Sequence, residues 1–482
     1  SLPCNCSLHE SSSVCFVLSQ CCLARTLGLA ECSGVLWGCR RSVLTNQAEA
    51  NPSRPNDCQS AEVIPIGAAA PRASLRVCLL GYRSAPYGGG QGIYLKYLSK
   101  ALVDAGHQVD VISGEPYPHL DPRVRLIKLP GMNIYEKGLG SIRLRHLRKV
   151  SNWVEWFGKL SGGCAEPLAF GMRVDDYLKQ HGGRYDLVHD NQCLAYGMLN
   201  IQRRQALVTT IHHPITSDKM IALNAARWWW EKLLIRRWYH FLTMQKRVAR
   251  RLRHVVTVSA QSRKDIALAF AMPEHSIQLV YNGIDTEVFA PLPDVQRQPL
   301  RLMATASADA PLKGVRYLIE AFARLLEQYP NLELLLVSKP KPGGDTERLI
   351  ASLGVGHKIR FVSGISTEAL VRYYAEATLV VVPSVYEGFG LPAGEAMACG
   401  VPVVSTTGGA LAEVVGDAGE MVPTRNATAI AGAVARLLDD PARRERLGAA
   451  GRERILEKFC WNVCAREMSG YYQSVLKAYE NS

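Results

Sequence analysis

A chain of 482 residues with 48% hydrophobic and 21% charged residues exceeds the size at which one core keeps growing, so two globular domains are expected. No apolar run approaches the ~20 residues of a membrane-spanning helix, which excludes a chain built on helical spans. The formal net charge of +13 leaves nucleic acid, an anionic membrane surface or a phosphorylated ligand as its counterpart.

Residues 1 to 70 stand apart from the rest. Eight of the 14 cysteines fall within the first 58 residues, and the first methionine is Met132. The apolar part, Val14 to Trp37, is interrupted by polar residues and lacks a basic segment before it, so it does not read as a signal peptide. The stretch is expected to be a leader, non-native or disordered, without its own fold; a disulfide or metal module is the alternative. The other cysteines (Cys78, Cys164, Cys193, Cys399, Cys460, Cys464) are scattered without metal-ligand spacing, which suggests a reducing, cytoplasmic setting.

Leu75 to Gly81 reads as a strand, Ser84 to Gly92 as a loop holding Gly89 and Gly90, Ile93 to Ala105 as an amphipathic helix, and Gln108 to Ser113 as the next strand. This is a βαβ unit with a glycine-rich turn at the carboxyl end of its first strand. The GxGxxG fingerprint is missing, and three glycines alone are weak evidence. Strands are also expected at Val124 to Leu129, Asp186 to Asp190, Ala206 to Ile211, Val255 to Ser259 and Gln278 to Asn282. More than fifty residues separate the first two of these, among them Trp153, Trp156 and the basic Arg143, Arg145, Arg148 and Lys149. His189-Asp190 and His212-His213-Pro214 fall at strand ends, the edge at which open α/β sheets bind ligands. A lone histidine is more often structural; two polar clusters at one edge shift that balance.

Between Arg227 and Lys264 lie eleven Lys and Arg against one acid, Glu231, with Trp228, Trp229, Trp230, Trp238, Tyr239 and Phe241. Such interleaving fits an amphipathic helix lying on anionic lipid. It fits equally a long surface helix whose aromatics pack on the first domain. Nucleic acid is disfavoured, because no binding module accompanies the charge.

Asn282-Gly283-Ile284-Asp285 reads as a turn before the proline-rich segment 291 to 299, where the domain boundary is placed. Strand and helix alternate again after it: strands at Leu300 to Ala306, Leu332 to Ser338, Lys358 to Ser363, Leu379 to Val382 and Val401 to Thr406. Helices are expected at Gly314 to Gln328, Thr346 to Leu353, Thr367 to Ala375, Asn426 to Leu438, Pro441 to Phe459 and Trp461 to Tyr479.

The densest signal is Pro383 to Val404, PSVYEGFGLPAGEAMACGVPVV. A buried strand runs into Glu387 and the turn Gly388 to Gly390, then into a small-residue helix that admits Pro392 in its first turn and stops at Gly400. A helix N-terminus at the carboxyl edge of a sheet suits a phosphate. Glu387 and Glu395, with seven residues between them, can each accept hydrogen bonds from adjacent hydroxyls. Hydroxyls at both ends with phosphates between describe a sugar nucleotide.

This stretch resembles the signature of the retaining GT-B glycosyltransferases of glycosyltransferase family 4. So do the N-terminal GG, L-x-x-A-L and AGHQVDV, and the NGID tetrapeptide. The resemblance implies an α/β fold of two Rossmann-like domains facing each other across a cleft, an acceptor domain over 72 to 290 and a donor domain over 300 to 460. It also implies that residues 461 to 482 form a helix crossing back onto the first domain. It places Gly89 and Gly90 at the donor diphosphate, His212 on the donor sugar, Asp190 on the acceptor side, and the long basic loop facing the acceptor. Glu387 is expected on the donor sugar hydroxyls, Glu395 on the ribose, and Phe389, Gly390 and Leu391 at the phosphates. The family supplies an Arg and a Lys to the diphosphate; here Lys313 matches the Lys and Ser307 stands at the Arg position, so Lys313 should carry most of the leaving-group charge.

The implied reaction is hexosyl transfer from a UDP- or GDP-sugar to an acceptor hydroxyl with retention of configuration. The acceptor would be lipid-linked or a polysaccharide, and the enzyme cytoplasmic or peripheral to the inner face of a membrane. No cofactor is expected; no metal either, since the chain lacks D-x-D. Two other readings are weighed. A sugar-nucleotide epimerase or a phosphorylase is disfavoured by the paired glutamates and by the missing pyridoxal lysine motif. A non-catalytic peripheral membrane protein is disfavoured by the joint presence of Lys313, Glu387, Glu395 and His212.

Overall fold

The structure is a computed structural model that describes residues 74–85, 90–132, 148–226 and 228–481. The leader expected over 1 to 70, Gly89, Arg143 and Arg145 lie outside the described residues.

The first lobe contains strands β1 (Arg76–Gly81), β2 (Gln108–Ser113), β3 (Arg125–Lys128), β4 (Leu187–Asn191), β5 (Ala206–Ile211), β6 (Val255–Thr257) and β7 (Ile277–Leu279). They form one sheet in the order β3-β2-β1-β4-β5-β6-β7, parallel throughout. Parallel strands are covered on both faces, so they are apolar without alternation; every residue of β4 and of β5 is buried. The second lobe adds β8 (Arg301–Thr305), β9 (Glu333–Val337), β10 (Ile359–Val362), β11 (Leu379–Val382), β12 (Val403–Thr406) and β13 (Glu420–Val422). Their order is β10-β9-β8-β11-β12-β13.

Both sheets start in the middle, wind outward and then cross to the other side. Each therefore has a switch point, between β1 and β4 in the first lobe and between β8 and β11 in the second, where loops diverge and open a crevice. That topology brings the turn after β8 beside the turn after β11. It likewise sets the start of helix Gly90–Asp104 beside the end of β4.

The last helix, Trp461–Glu480, returns to the first lobe. Ser469 hydrogen-bonds His107 at 2.8 Å and Tyr472 bonds His189 at 2.5 Å. The Trp461 ring stacks on Tyr97 and meets the edge of Tyr94. At the hinge, the Ile284 amide donates to Phe459 O at 2.6 Å, and a Cβ on Gly283 would fall 2.5 Å from Trp461.

One expectation is corrected. The basic stretch from Arg227 to Lys264 is not a single helix. It contains helices Trp229–Trp238 and Phe241–Ala249, strand β6 and the start of helix Ala260–Phe270. Tyr239, between the first two helices, is buried, as are Leu242, Met244 and Val248, so the second helix packs inward while the first exposes Trp229 and Leu233. Among the described residues no helix is long and apolar enough to cross a membrane.

Candidate active site

At the switch point of the second lobe the chain is held by close glycine packing. Gly314 has φ +63°, and a Cβ there would sit 2.1 Å from Pro383 O. Only glycine lets the turn Pro311–Lys313 lie on the loop after β11. The Val385 amide then donates to Leu312 O at 2.7 Å. Across this seam Lys313 Nζ reaches Glu387 Oε1 at 2.7 Å, and Ser384 Oγ donates to the same oxygen at 2.8 Å. From the far side, Gly409 (φ +65°) comes so near that a Cβ would lie 2.1 Å from Glu387 O, while the Ala410 amide donates to that carbonyl. Glu387 is thus fixed at both its backbone and its carboxylate.

Gly390, at φ +105°, turns the chain into helix Leu391–Ala398. The first-turn amides of such a helix lack intrahelical acceptors and carry the positive end of its dipole. Phe389 contributes only backbone here, because its side chain is buried with its ring against Phe459. Leu391 is half-buried, and Ser307 is exposed at the end of β8. Glu395 is half-buried one turn into the helix and accepts from Tyr374 OH at 3.0 Å. Burial pushes its carboxyl up to about 7. At neutral pH it sits at the edge of ionisation.

In the first lobe, a Cβ at Gly90, where helix Gly90–Asp104 begins, would meet nothing within 4 Å among the described residues. Close packing falls on Gly92 instead, where a Cβ would be 2.2 Å from Ala85 O. His212 follows β5. Its Nε2 lies 2.7 Å from Asn191 Oδ1, and its backbone amide donates to Gln192 Oε1 at 2.7 Å. Gln192 Nε2 also donates to His213 O, so one side chain clasps the β4 and β5 loops together. Burial, with His213 and His189 nearby, pushes His212 down to about 3 and keeps it neutral.

Asp190 does not present a carboxylate to the cleft. It is fully buried, and its two oxygens accept from the amides of Cys193 and Leu194 at 3.2 Å each. It shapes the turn in which Gln192 and Leu194 adopt positive φ. Asn191, the last residue of β4, and Gln192 after it are buried as well, and their amides reach the end of β5 rather than their own turn; the sequence reading did not single them out.

The lobes touch at the Glu387 turn. Ser259 Oγ and Ser262 Oγ donate to Gly388 O at 2.7 and 3.1 Å, and Tyr386 OH donates to Asp265 at 2.6 Å. A Cβ on Gly388 would be 3.8 Å from both His212 O and His213 Cβ. The turn carrying Glu387 therefore abuts the strand end carrying His212, which brings the Lys313–Glu387 pair and the end of β5 into one neighbourhood.

Two family models divide the chain between them. Glycosyltransferase Family 4 matches residues 88–288 and Glycosyl transferases group 1 matches residues 296–454. An MMP alpha-(1->4)-mannosyltransferase from Mycolicibacterium hassiacum is 43% identical over 410 residues, spanning 83% of this chain and 98% of that protein. The chain belongs to the group 1 glycosyltransferases. A D-inositol 3-phosphate glycosyltransferase from Kribbella flavida is 27% identical over 80% of this glycosyltransferase and 91% of its own length. Among solved structures, sucrose-phosphate synthase from Thermosynechococcus elongatus aligns with a TM-score of 0.63 at 26% identity, covering 84% of this chain and all of that one. Anabaena HepE, solved with UDP and glucose, shares the fold at 16% identity, with a TM-score of 0.60 and coverage of 83% and 100%. The two matched regions of this glycosyltransferase meet where the Glu387 turn abuts the end of β5.

Proposed function

We propose that this glycosyltransferase moves a hexosyl group, mannosyl by the precedent of the Mycolicibacterium relative, from a nucleoside diphosphate sugar to an acceptor hydroxyl. The observation that carries the reading is the 2.7 Å pairing of Lys313 with Glu387 at the switch point of the second lobe. It sets a cation for phosphate beside a carboxylate for hydroxyls.

In the reaction the bond from the anomeric carbon to the diphosphate oxygen breaks, and a bond from that carbon to the acceptor oxygen forms. The acceptor proton leaves on the departing phosphate. Charge grows on the diphosphate, where Lys313 and the start of helix Leu391–Ala398 stabilise it. Glu387 orients the donor hydroxyls, Glu395 holds the ribose and His212 meets the donor sugar from the opposite lobe. Ser307, exposed at the Arg position of the family, adds a hydroxyl only. If the donor is alpha-linked, an alpha-linked product such as the one the relative's name states means retention of configuration.

The test is release of nucleoside diphosphate across a panel of UDP- and GDP-sugars. Turnover with one donor that disappears in Glu387→Ala supports the reading, and undiminished turnover in that variant ends the role of Glu387.

We also propose that the first lobe rests on an anionic bilayer. Trp228 (51% exposed), Trp229 (75%) and Leu233 (58%) project beside the exposed Lys232 and Arg236. Helix Val150–Leu160 continues the surface with exposed Val150, Phe157 and Leu160, joined through Arg237 against Ser161. Exposed apolar clusters of this kind mark contact surfaces. Lysine and arginine among the apolar residues would oppose themselves across a self-association interface, whereas they complement lipid phosphate.

A further inference from the structure

His212 is held by an amide whose orientation can be read from its neighbours, and that orientation decides what the histidine can recognise. Asn191 is buried at the carboxyl end of β4. Its Nδ2 donates to the carbonyl of Gln91 at 3.0 Å, and its Oδ1 lies 2.7 Å from His212 Nε2. A backbone carbonyl can only accept, so the NH2 of the amide must face Gln91. The amide oxygen must then face the imidazole, and Nε2 must carry the hydrogen. A neutral imidazole protonated at Nε2 has Nδ1 as a pure acceptor.

We propose that Asn191 is a positioning residue that fixes His212 as a hydrogen-bond acceptor, so that the crevice selects a substrate hydroxyl able to donate to Nδ1. The assignment rests on the reading of His212 as a donor-sugar contact and adds the polarity of that contact. Gln192 fixes the backbone that carries the ring through the His212 amide and the His213 carbonyl, and the Tyr94 ring packs against the imidazole in a T-shaped contact at 4.7 Å. Asn191 also ties the first turn of helix Gly90–Asp104 to the residue after β5, so that turn and the histidine are set by one side chain.

The consequence is a selectivity. A sugar whose facing hydroxyl is replaced by fluorine or a methyl ether offers only acceptors to an acceptor, and it leaves Nδ1 unsatisfied. Sites built to bind a hydroxyl reject analogues lacking one strongly.

The experiment uses the full chain with nitrogen-15-labelled histidine. The NMR signature of wild-type His212, assigned by its loss in His212→Gln, is expected to be that of a neutral ring with hydrogen on Nε2, without any substrate present. A ring with hydrogen on Nδ1 overturns the proposal, and it does so whether or not His212 touches sugar. In Asn191→Asp the added carboxylate favours imidazolium, which donates from both nitrogens. The other titratable groups facing His212 are His213, His189 on β4, Tyr94 on helix Gly90–Asp104 and the Glu387–Lys313 pair across the crevice. All are shared with the wild type. With donor saturating, kcat of Asn191→Asp should acquire an acid limb, falling about tenfold per pH unit below the new histidine pKa, while the wild type shows none from this residue. Asn191→Ser, which adds no charge beside the ring, should show no such acid limb. A profile of Asn191→Asp parallel to the wild type, or tautomer loss in Asn191→Ala with unchanged kinetics, refutes the positioning role.

Discussion

Replacing Lys313 by alanine tests where the leaving-group charge is held. A cation about 4 Å from a phosphate is worth roughly 4 kcal/mol at an effective dielectric near 20, before desolvation is subtracted. The Lys313 side chain is 34% exposed, and in the free enzyme it gives part of its field to Glu387, 2.7 Å away. Discounting for solvent and for the broken pair leaves about 2 to 3 kcal/mol, which corresponds to a loss of roughly 100-fold in kcat at saturating donor. Folding stability should barely move, since a partly exposed ion pair contributes about 0 to 1 kcal/mol. Ser307→Ala removes only a hydroxyl hydrogen bond, worth about 1 kcal/mol, so roughly fivefold. The assay is nucleoside diphosphate release with thermal unfolding in parallel, and S307R in the K313A background should return part of the rate. If Lys313→Ala costs less than about tenfold, or less than Ser307→Ala, the assignment of the diphosphate to this turn is wrong.

Other expectations follow from particular groups. Because burial raises the Glu395 carboxyl to about 7, its ionised form, the one that accepts from two ribose hydroxyls, is depleted below that pH. Donor Kd should weaken up to about tenfold per unit on acidification below 7, and calorimetry showing a pH-independent Kd would remove Glu395 from the ribose. The same raised pKa means the fold binds a proton more tightly than the unfolded chain, so this group costs stability as pH rises through 7. Glu395→Gln should accordingly raise Tm at pH 8 and leave it unchanged near pH 4. Gly314→Ala combines a left-handed φ with a Cβ 2.1 Å from Pro383 O and should cost at least about 2 kcal/mol; an unchanged Tm would contradict the packing described. Co-sedimentation with vesicles of phosphatidylglycerol, compared with phosphatidylcholine, should show salt-sensitive binding that W229S/L233S abolishes. Equal recovery with both lipids, or none, ends the bilayer proposal.

The strands were legible because a parallel sheet buries both faces. Runs such as Leu379 to Val382 and Ala206 to Ile211 admit no alternation and little polarity. The convergence of Lys313 and Glu387 was not legible from spacing, since 74 positions separate them; it depends on β8 and β11 being neighbours, which only the sheet order supplies. Glu387 and Lys313 attracted notice through the company they keep in their loops. Asn191 and Gln192 had no such company, and nothing local says that an amide will reach twenty residues along the chain to the next strand end. Asp190 shows what spacing leaves out: the sequence puts an acid at the strand end, and only the fold shows the backbone of its own turn bonded to both oxygens. In the basic tryptophan-rich stretch, uninterrupted composition concealed the break at Tyr239, whose burial separates an outward helix from an inward one.

The return of the final helix limits how enzymes of this design can be recombined. A chimaera joined within residues 291–299 would import, along with a foreign catalytic half, a tail whose serine and tyrosine must find histidine partners equivalent to His107 and His189. Exchange of specificities between relatives therefore calls for two junctions rather than one, the second falling between Phe459 and Trp461, so that each N-terminal half keeps the tail that grew up with it.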